Sequence, residues 1–231
     1  YRSSHESLIA FSNQYFYQGR MTTFPSADDR TKRVHLIQVE GIFESGTTRQ
    51  NLEEAKAIIR ELQARYKSLS HKEESIGIVS FNVQQKQLIE KLLEKEYIET
   101  PQFREWCEQQ FLFVKNLESV QGDERDVILF SVTYGPNPEG NVSMNFGPLN
   151  QDGGWRRLNV AITRAKREMI IFTSLKDGMV KYNDSSPEGV KALGQFLLYA
   201  AGSGKLKTKK LGTIVSNVSE LDQVYDIAGD L

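Results

Sequence analysis

The chain is poor in cysteine and histidine and lacks long apolar runs, and each shortage removes a class of protein. Its 231 residues include one cysteine, Cys107, and three histidines. A lone cysteine cannot form an internal disulfide framework, and so few thiols and imidazoles argue against a zinc cluster. The single thiol favours a reducing compartment, so we expect a cytoplasmic location. No apolar run approaches the roughly 20 residues that cross a bilayer, so we expect no membrane contact.

The chain also lacks an excess of charge of either sign. It has 29 Lys and Arg residues against 30 Asp and Glu residues, a formal net charge of -1. This balance excludes a uniformly basic nucleic-acid coat protein. It still permits a local basic cleft, because net charge does not report where the charges lie.

Two nucleotide-binding signatures are missing as well. The sequence contains no GxxxxGK[ST] segment, so the chain cannot hold a nucleoside triphosphate in a P-loop of its own. No apolar strand pattern ends in the paired acids that bind Mg²⁺. These absences exclude self-sufficient ATP hydrolysis. A phosphate site therefore requires a second domain that supplies the loop, the lysine and the metal.

Short apolar runs alternate with helical patterns along the chain. Residues 51–66 and 83–97 each place their apolar positions on one helical stripe. The alternation predicts a three-layer α/β domain with a mostly parallel sheet, whose sites gather after the carboxyl ends of the strands. The predicted strands are VHLIQV (34–39), IGIVSF (76–81), FLFV (111–114), DVILFSV (126–132) and MIIFTS (169–174).

Two stretches interrupt this alternation. Residues 134–154 form a Gly/Pro/Asn-rich loop, and loops of this length are usually functional or disordered. We assign a single domain to residues 1–200, and residues 201–231 to a linker or the start of a further domain. Because the sequence begins abruptly within a helical pattern, we expect it to be part of a longer protein.

The basic stretch RRLNVAITRAKREMIIF (156–172) has two interpretations. On one helix, Arg157 and Arg164 would lie within about 20° of each other. A basic surface helix paired with carboxylates explains this stretch alone as well as a phosphate site does. Upstream, Gly122 permits a backbone conformation barred to other residues, so nearby amides can approach a ligand. Glu124 beside it can accept hydrogen bonds from sugar hydroxyls.

These two segments together resemble motifs V and VI of superfamily 1 helicases, and most closely the Upf-like (1B) branch. The motif V pattern QGxExD is met by Gln121, Gly122, Glu124 and Asp126, and residues 156–165 match the motif VI pattern RRLNVAxTRA at every specified position.

Other segments extend the resemblance over about residues 1–175. Residues 1–19 resemble the start of motif IV, and IVSFNVQQ (78–85) resembles the segment that the family uses to touch nucleic acid. The stretch NFGPLNQDGGWRRLNV is similar to a prokaryotic multidomain subgroup. The resemblance implies the second RecA-like domain, with a P-loop NTPase fold that lacks its own P-loop.

The resemblance also implies roles on the nucleotide side. Arg164 is implied as the arginine finger and Arg2 as a second arginine at the γ-phosphate of ATP. Tyr1 would stack on the base, and Glu124 would accept from the ribose. Three more nucleotide contacts are implied: Gln121 and Gly122 at the phosphate edge, and Arg49 as an alternative phosphate contact.

On the nucleic-acid side, the resemblance implies backbone contacts from Ser80, Phe81, Gln84 and Ser119. Arg157 and Asp126 are expected to couple the two sites. The implied function is the second RecA-like domain of an ATP-dependent DNA or RNA helicase or translocase. Its partners would be single-stranded DNA or RNA and the first RecA-like domain of the same polypeptide, which would hold most of the ATP and Mg²⁺ contacts.

Two alternatives stay open from the sequence. The chain can keep the helicase fold yet serve as a catalytically inactive module that binds nucleic acid or protein. It can also be a freestanding α/β enzyme, but no nucleophile or acid/base cluster in the sequence supports that reading.

Overall fold

A five-stranded sheet in which every pair of neighbours is parallel organises the chain. The computed structural model describes residues 3–22, 33–68 and 73–202. The strands are β1 (Val34–Gln38), β2 (Ile76–Ser80), β3 (Phe113–Asn116), β4 (Arg125–Ser131) and β5 (Ala165–Thr173), and they lie in the order β1-β5-β4-β2-β3.

Helices cover both faces of this sheet. They are α1 (Ser7–Tyr17), α2 (Leu52–Lys67), α3 (Val83–Glu99), α4 (Pro101–Gln109), α5 (Gly154–Ile162) and α6 (Glu188–Ala201). Helices α2, α3 and α4 pack together on one face, and α1, α5 and α6 on the other. Along β4, Val127 and Leu129 belong to the core beneath α2, α3 and α4. Ile128 and Phe130 belong to the core beneath α1, α5 and α6. This alternation is the strand periodicity of two, and it confirms the three-layer α/β prediction.

Helix α2 illustrates why the sequence forms these elements. The side chain of Asn51 accepts a hydrogen bond from the Glu54 amide and so caps the amino end. Ile58 and Leu62, one turn apart, are fully buried against the sheet. Lys67 in the last turn places a positive charge where the helix dipole is negative.

Some elements differ from their sequence-based prediction. Strand β3 covers residues 113–116 rather than 111–114, because Phe111 takes a left-handed backbone (φ 52°) and lies 70% exposed in the turn before it. Helices α4 and α6 were not predicted as separate elements. Strand β5 begins at Ala165, four residues earlier than expected, so part of the basic stretch is strand.

The loop over residues 134–154 is packed into the fold. It contains an isolated antiparallel bridge between Pro136 and Val142 and a 3₁₀ helix over Gly147–Asn150. Leu149 is fully buried, and a Cβ at Gly189 of α6 would lie 2.3 Å from the Leu149 carbonyl oxygen. The loop is therefore wedged closely against α6, at a position where only glycine fits.

Part of the predicted organisation lies outside the described residues. This applies to residues 203–231, which hold nearly all of the expected linker, and to Tyr1 and Arg2. Within the described ranges, no helix combines the length and the hydrophobicity that crossing a bilayer requires.

The central position of β4 generates a stability prediction. Leu129 is completely buried, so Leu129→Ala should lower the free energy of unfolding by about 2–5 kcal/mol through lost burial and a residual cavity. Ile98→Ala is the control, because Ile98 on α3 is 81% exposed and should change stability by less than about 0.5 kcal/mol. Urea unfolding of both variants measures the difference. Equal effects of the two substitutions would contradict the position of β4 in the core.

Candidate functional site

Arg164 lies just after helix α5, at the amino end of β5. The helix ends at Ile162, and the chain then pairs with β4 through a hydrogen bond from the Arg125 amide to the Arg164 carbonyl oxygen (3.2 Å). The expectation that Arg157 and Arg164 share one helical face is therefore wrong. Strand pairing with β4 ends the helix before the second arginine is reached.

The Arg164 guanidinium rests on the carboxyl end of α5. Its Nε donates to the Val160 carbonyl oxygen (2.8 Å), and its Nη2 donates to Thr163 Oγ1 (3.1 Å). A positive charge is favourable at this end of a helix. A guanidinium has five N–H donors, so three remain without a partner among the described residues. Arg164 is half-buried, which leaves it available to an acceptor from outside the chain.

Glu124 is the neighbour of Arg164 across the two strands. It directly precedes Arg125, whose amide bonds to Arg164. Glu124 Oε1 lies 3.1 Å from Lys166 Nζ on β5. A sugar hydroxyl that approached this carboxylate would have to share it with Lys166. The sequence pattern does not predict this ion pair, because only the pairing of β4 with β5 brings Lys166 next to Glu124.

Gly122 has the backbone conformation that its sequence context predicts. Its φ is +88°, a region that L side chains rarely adopt, and open space surrounds the position of a Cβ. Gln121 beside it is exposed. An ion pair between Asp123 and Lys115 of β3 anchors the turn. Gln121, Gly122, Glu124, Arg164 and Lys166 are called the amino-edge cluster, since they gather at the amino ends of β4 and β5.

This location differs from the expected one. Sites in parallel sheets usually follow the carboxyl ends of the strands. Ser3 Oγ donates to the Ala165 carbonyl oxygen (3.1 Å) and the Ser4 amide donates to the Lys166 carbonyl oxygen (2.7 Å). The described chain therefore starts beside the amino-edge cluster. The two other predicted members, Tyr1 and Arg2, lie outside the described residues.

A short crossover, residues 117–124, joins the two edges of the sheet. It starts where the Leu117 amide donates to the Ser80 carbonyl oxygen (3.0 Å), at the carboxyl ends of β2 and β3. It ends at Glu124, at the amino end of β4. Leu117 and Val120 are buried in the core on the α5 face. Eight residues thus span the height of the sheet without a helix.

Arg157 lies against this crossover. It borders a cavity of about 300 Å³ that is also lined by Leu117, Glu118, Gln121, Arg156 and Val160. Arg157 makes no hydrogen bond or ion pair with the described residues. Its charge is therefore free to respond to a ligand or to a movement of the crossover.

Asp126 ties the start of β4 to the residue before β2. Its Oδ2 accepts hydrogen bonds from the Ser75 amide (3.0 Å) and the Ser75 hydroxyl (2.6 Å). Burial alone would raise the pKa of Asp126, but the hydrogen bonds from Ser75 and the charges of Lys166 and Arg167 lower it overall. The side chain is ionised and fixed, which suits a structural link between strands.

Two predicted nucleic-acid contacts require correction. Ser80 is 0% exposed and donates to the Asn82 carbonyl oxygen (2.8 Å), and Phe81 is 1% exposed. The Phe81 ring packs edge-on against Phe130, with centroids 5.4 Å apart. These side chains belong to the core, so direct contact with a nucleic acid is not open to them in this structure.

Three other predicted side chains do reach the surface at the carboxyl edge. Gln84 is half-buried, whereas Arg49 and Ser119 are exposed. The Arg49 carbonyl oxygen accepts from Asn82 Nδ2 (3.0 Å), which places Arg49 beside α3. Arg49 is therefore not brought to the amino-edge cluster as a phosphate contact, because its loop follows the carboxyl end of β1. Arg49, Gln84 and Ser119 are called the carboxyl-edge surface.

The sequence of this chain is similar to those of several known proteins. The sequence model of AAA_12, an AAA domain family, matches residues 1–176. An uncharacterised ATP-dependent helicase of Mycoplasma genitalium is 35% identical over 238 residues, which cover 99% of this chain and 20% of that protein. A Drosophila melanogaster homologue of regulator of nonsense transcripts 1 is 27% identical over 187 residues, 74% of this chain and 15% of that protein. This chain thus spans about a fifth of the length of the curated relatives it matches most fully.

Solved structures also match this chain. One of them is the C-terminal domain of a possible DNA helicase from Lactobacillus plantarum, with a TM-score of 0.45 and 14% identity. The match covers 80% of this chain and 95% of that one.

The Asp126 contacts generate a prediction about stability and pH. Asp126→Asn should lower the free energy of unfolding by about 1 kcal/mol at pH 7, because the amide accepts the Ser75 hydrogen bonds more weakly. The pKa of Asp126 is lower in the folded chain than in the unfolded chain, so its ionised carboxylate stabilises the fold at pH values above the ordinary pKa of aspartate. This contribution to stability is lost as the pH falls through the lowered pKa. The difference in the free energy of unfolding between wild type and Asp126→Asn should therefore disappear at acidic pH. Asp152→Asn, in an exposed turn, is the control; a gap that persisted at pH 2 would contradict this account.

Proposed function

The chain belongs to the AAA_12 family of AAA domains, and from this membership we propose that it is the second RecA-like domain of an ATP-dependent superfamily 1 DNA or RNA helicase or translocase. The first RecA-like domain of the same polypeptide would hold the triphosphate and Mg²⁺, since this chain has no P-loop. This domain would add the groups that complete the catalytic cleft.

The pairing of the segment that carries Glu124 with the segment that carries Arg164 is the observation that supports the proposal. Two segments about 40 residues apart in sequence meet at the amino ends of β4 and β5 through the Arg125–Arg164 hydrogen bond. Arg164 has three guanidinium N–H donors without a partner among the described residues, and the neighbouring segment carries the Glu124 carboxylate, which pairs with Lys166. These are the groups that a γ-phosphate and a ribose hydroxyl respectively require.

Phosphoryl transfer develops negative charge on the equatorial oxygens of the transferred group. A planar guanidinium from a second domain neutralises that charge and is typically worth about 10³–10⁵ in rate. For the remaining N–H donors of Arg164 to reach such a phosphate, the first domain would have to move up to this edge of the sheet. That movement would make hydrolysis depend on closure of the two domains. Arg2 is proposed as a second arginine at the same phosphate, and Tyr1 as a contact to the base.

The carboxyl-edge surface is proposed to hold the nucleic-acid strand. Arg49 contributes a positive charge, and Gln84 and Ser119 contribute hydrogen-bonding groups that suit phosphates and sugars. Binding through such groups should be largely independent of sequence and should weaken with salt. The crossover over residues 117–124 would transmit changes in the nucleotide contacts at one edge of the sheet to the nucleic-acid strand at the other edge. Arg157 lies against this crossover.

The arginine finger gives the most direct test. Arg164→Ala in the full-length protein should reduce strand-stimulated ATP hydrolysis by about 10³-fold and leave strand affinity nearly unchanged, because Arg164 lies at the opposite edge from the proposed strand contacts. Steady-state phosphate release and anisotropy of a labelled oligonucleotide measure the two quantities.

Arg167→Ala is the matched control, since Arg167 is exposed on the same strand and lies 3.9 Å from Glu74. Its turnover should be close to that of the wild type. Full turnover by Arg164→Ala would refute the finger. A wild-type protein that binds strands but never hydrolyses ATP would favour the inactive-module alternative.

A second prediction concerns the ribose. Glu124→Ala should weaken ATP binding by the full-length protein about two- to tenfold, because one hydrogen-bond acceptor is lost. Glu139→Ala, which changes the same charge in an exposed loop, should leave ATP affinity unaltered. Titration with a fluorescent ATP analogue measures both. Unchanged affinity in Glu124→Ala would remove the ribose contact from the proposal.

A further inference from the structure

A buried carboxylate lies at the carboxyl end of the sheet. Glu54 is 0% exposed and accepts four hydrogen bonds. Its Oε2 accepts from Ser131 Oγ (2.7 Å) and the Thr133 amide (2.6 Å), and its Oε1 accepts from the Ser174 amide (2.9 Å) and Asn51 Nδ2 (3.3 Å). One side chain of α2 therefore joins the ends of β4 and β5.

No cation balances this carboxylate among its contacts. All four donors are neutral groups, and Gln85 of α3, which donates to Ser131 Oγ (3.2 Å), is neutral too. Buried carboxylates are normally paired with a positive charge. Burial raises the pKa of Glu54 to about 7, although the hydrogen bonds from Ser131, Thr133 and Ser174 act in the opposite direction.

The ionisable residues next to these groups are engaged elsewhere. Glu53 is half-buried and pairs with Lys56 Nζ (2.8 Å). The Tyr134 ring packs against aromatic rings, those of Phe43, Phe81 and Phe146. Arg49 acts on Tyr134, where its positive charge opposes a rise in pKa that burial causes. The charge on Glu54 is therefore set chiefly by its own burial and its four donors.

The hydrogen bonds continue from Glu54 to the carboxyl-edge surface. The Asn51 amide donates to Gln85 Oε1 (2.8 Å), and Gln85 Nε2 donates to the Asn51 carbonyl oxygen (2.9 Å). Gln50 Nε2 then donates to the Gln84 carbonyl oxygen (3.0 Å). Since Arg49 directly precedes Gln50, the loop that carries Arg49 and the helix that carries Gln84 are fixed to one network.

The carboxylate also holds a strained turn. Thr133 has a φ of +71°, which a β-branched residue rarely adopts, and its amide makes the shortest of the four bonds to Glu54. The backbone closes over the network at Gly41, where a Cβ would lie 2.3 Å from Asn51 Oδ1. The site is thus sealed from solvent and depends on an acceptor for the Thr133 amide.

We infer that Glu54 is a positioning residue for strand binding: its ionised carboxylate fixes Arg49 and Gln84 in the geometry that grips a nucleic-acid backbone, and a proton on Glu54 loosens that grip. The inference rests on the proposed function, because it assumes that the carboxyl-edge surface binds a strand. The physical reason is simple. A protonated carboxyl must donate one hydrogen bond and can no longer accept all four.

Stability and strand affinity should then respond to pH in opposite directions. A raised pKa means that the folded chain binds the proton more tightly than the unfolded chain does. The contribution of Glu54 to stability is therefore present below about pH 4.5 and is lost as the pH rises through about 7. Strand affinity should instead increase as the pH rises through about 7. A residue with a merely structural role would move both quantities together.

The test measures the anisotropy of fluorescein-labelled oligothymidylate with this chain from pH 5.5 to 8.5 at constant ionic strength. Wild type should bind about fivefold more tightly at pH 8 than at pH 6, the effect of about one hydrogen bond. Glu54→Gln should bind about fivefold more weakly than wild type at pH 8 and show a flat profile. Glu53→Gln is the matched control, because it removes the same charge from the same helical turn at a half-buried position outside the Glu54 hydrogen bonds; its profile should be that of the wild type.

A second variant and a second readout guard against a folding defect in Glu54→Gln. Ser131→Ala keeps the carboxylate but removes one donor, so the midpoint of the affinity profile should move to higher pH. Amide hydrogen exchange of wild type should show protection of Thr133 and Ser174 that decreases from pH 8 to pH 6, after correction for the intrinsic exchange rate.

The outcomes separate the two proposals. No strand binding at any pH overturns the proposed function of this surface, and this inference with it. Strand binding that is independent of pH, or a Glu54→Gln profile identical to that of the wild type, overturns the role of Glu54 and leaves the proposed function standing.

Discussion

The pairing of β4 with β5 is the constraint on which both candidate surfaces depend. At its amino end, it sets Glu124 beside Arg164. At its carboxyl end, it brings Ser131 and Ser174 to opposite sides of the Glu54 carboxylate. Two neighbouring parallel strands therefore supply one site at each end, and their common register fixes the relation between the two sites.

The two ends of the sheet are stabilised by different electrostatics. Near the amino ends, the buried Arg65 bonds to three carboxylates, those of Glu61 (2.8 Å), Glu74 (2.9 Å) and Glu168 (2.6 Å). The carboxyl ends hold Glu54 among neutral donors. Burial alone would lower the pKa of Arg65, but the hydrogen bonds and charges of Glu168 and Glu61 raise it overall, so the guanidinium keeps its charge. The state of a single buried carboxylate instead depends on pH when its pKa is about 7. The ion pairs of Arg65 therefore fix the amino end of the sheet, whereas the charge of Glu54 at the carboxyl end changes with pH.

The fold class could be predicted from the sequence because the strand runs are short, apolar and bounded by polar segments. The backbone conformation of Gly122 could also be predicted, since a position with a positive φ is usually occupied by glycine. The end of α5 could not be read in this way. Residues 157–165 keep a helical apolar stripe, and it is the partner strand that ends the helix at Ile162. At this position the pairing of β5 with β4 overrides the helical pattern of the local sequence.

The nucleic-acid contacts were harder to predict for a related reason. A motif marks a segment, but the pleat of the strand decides which side chains face outward, and Ser80 and Phe81 face the core. Arg49 was placed with the nucleotide because sequence alone does not state at which edge of the sheet a loop lies. The Glu54 network was invisible for the same reason, since its partners come from α2, α3, β4 and β5.

The crossover over residues 117–124 has little spare length. Nine peptide units separate Asn116 from Arg125, at most about 32 Å when fully extended. The two positions are separated by six residues along the strands and by two strand spacings, or about 22 Å. Two turns shorten the path further, with hydrogen bonds from the Val120 amide to the Asn116 carbonyl oxygen (3.2 Å) and from the Asp123 amide to the Val120 carbonyl oxygen (3.3 Å). A displacement of a few ångströms at Glu124 must therefore either pull on Ser119 or break one of these turns, so this span can act as a tether of fixed length.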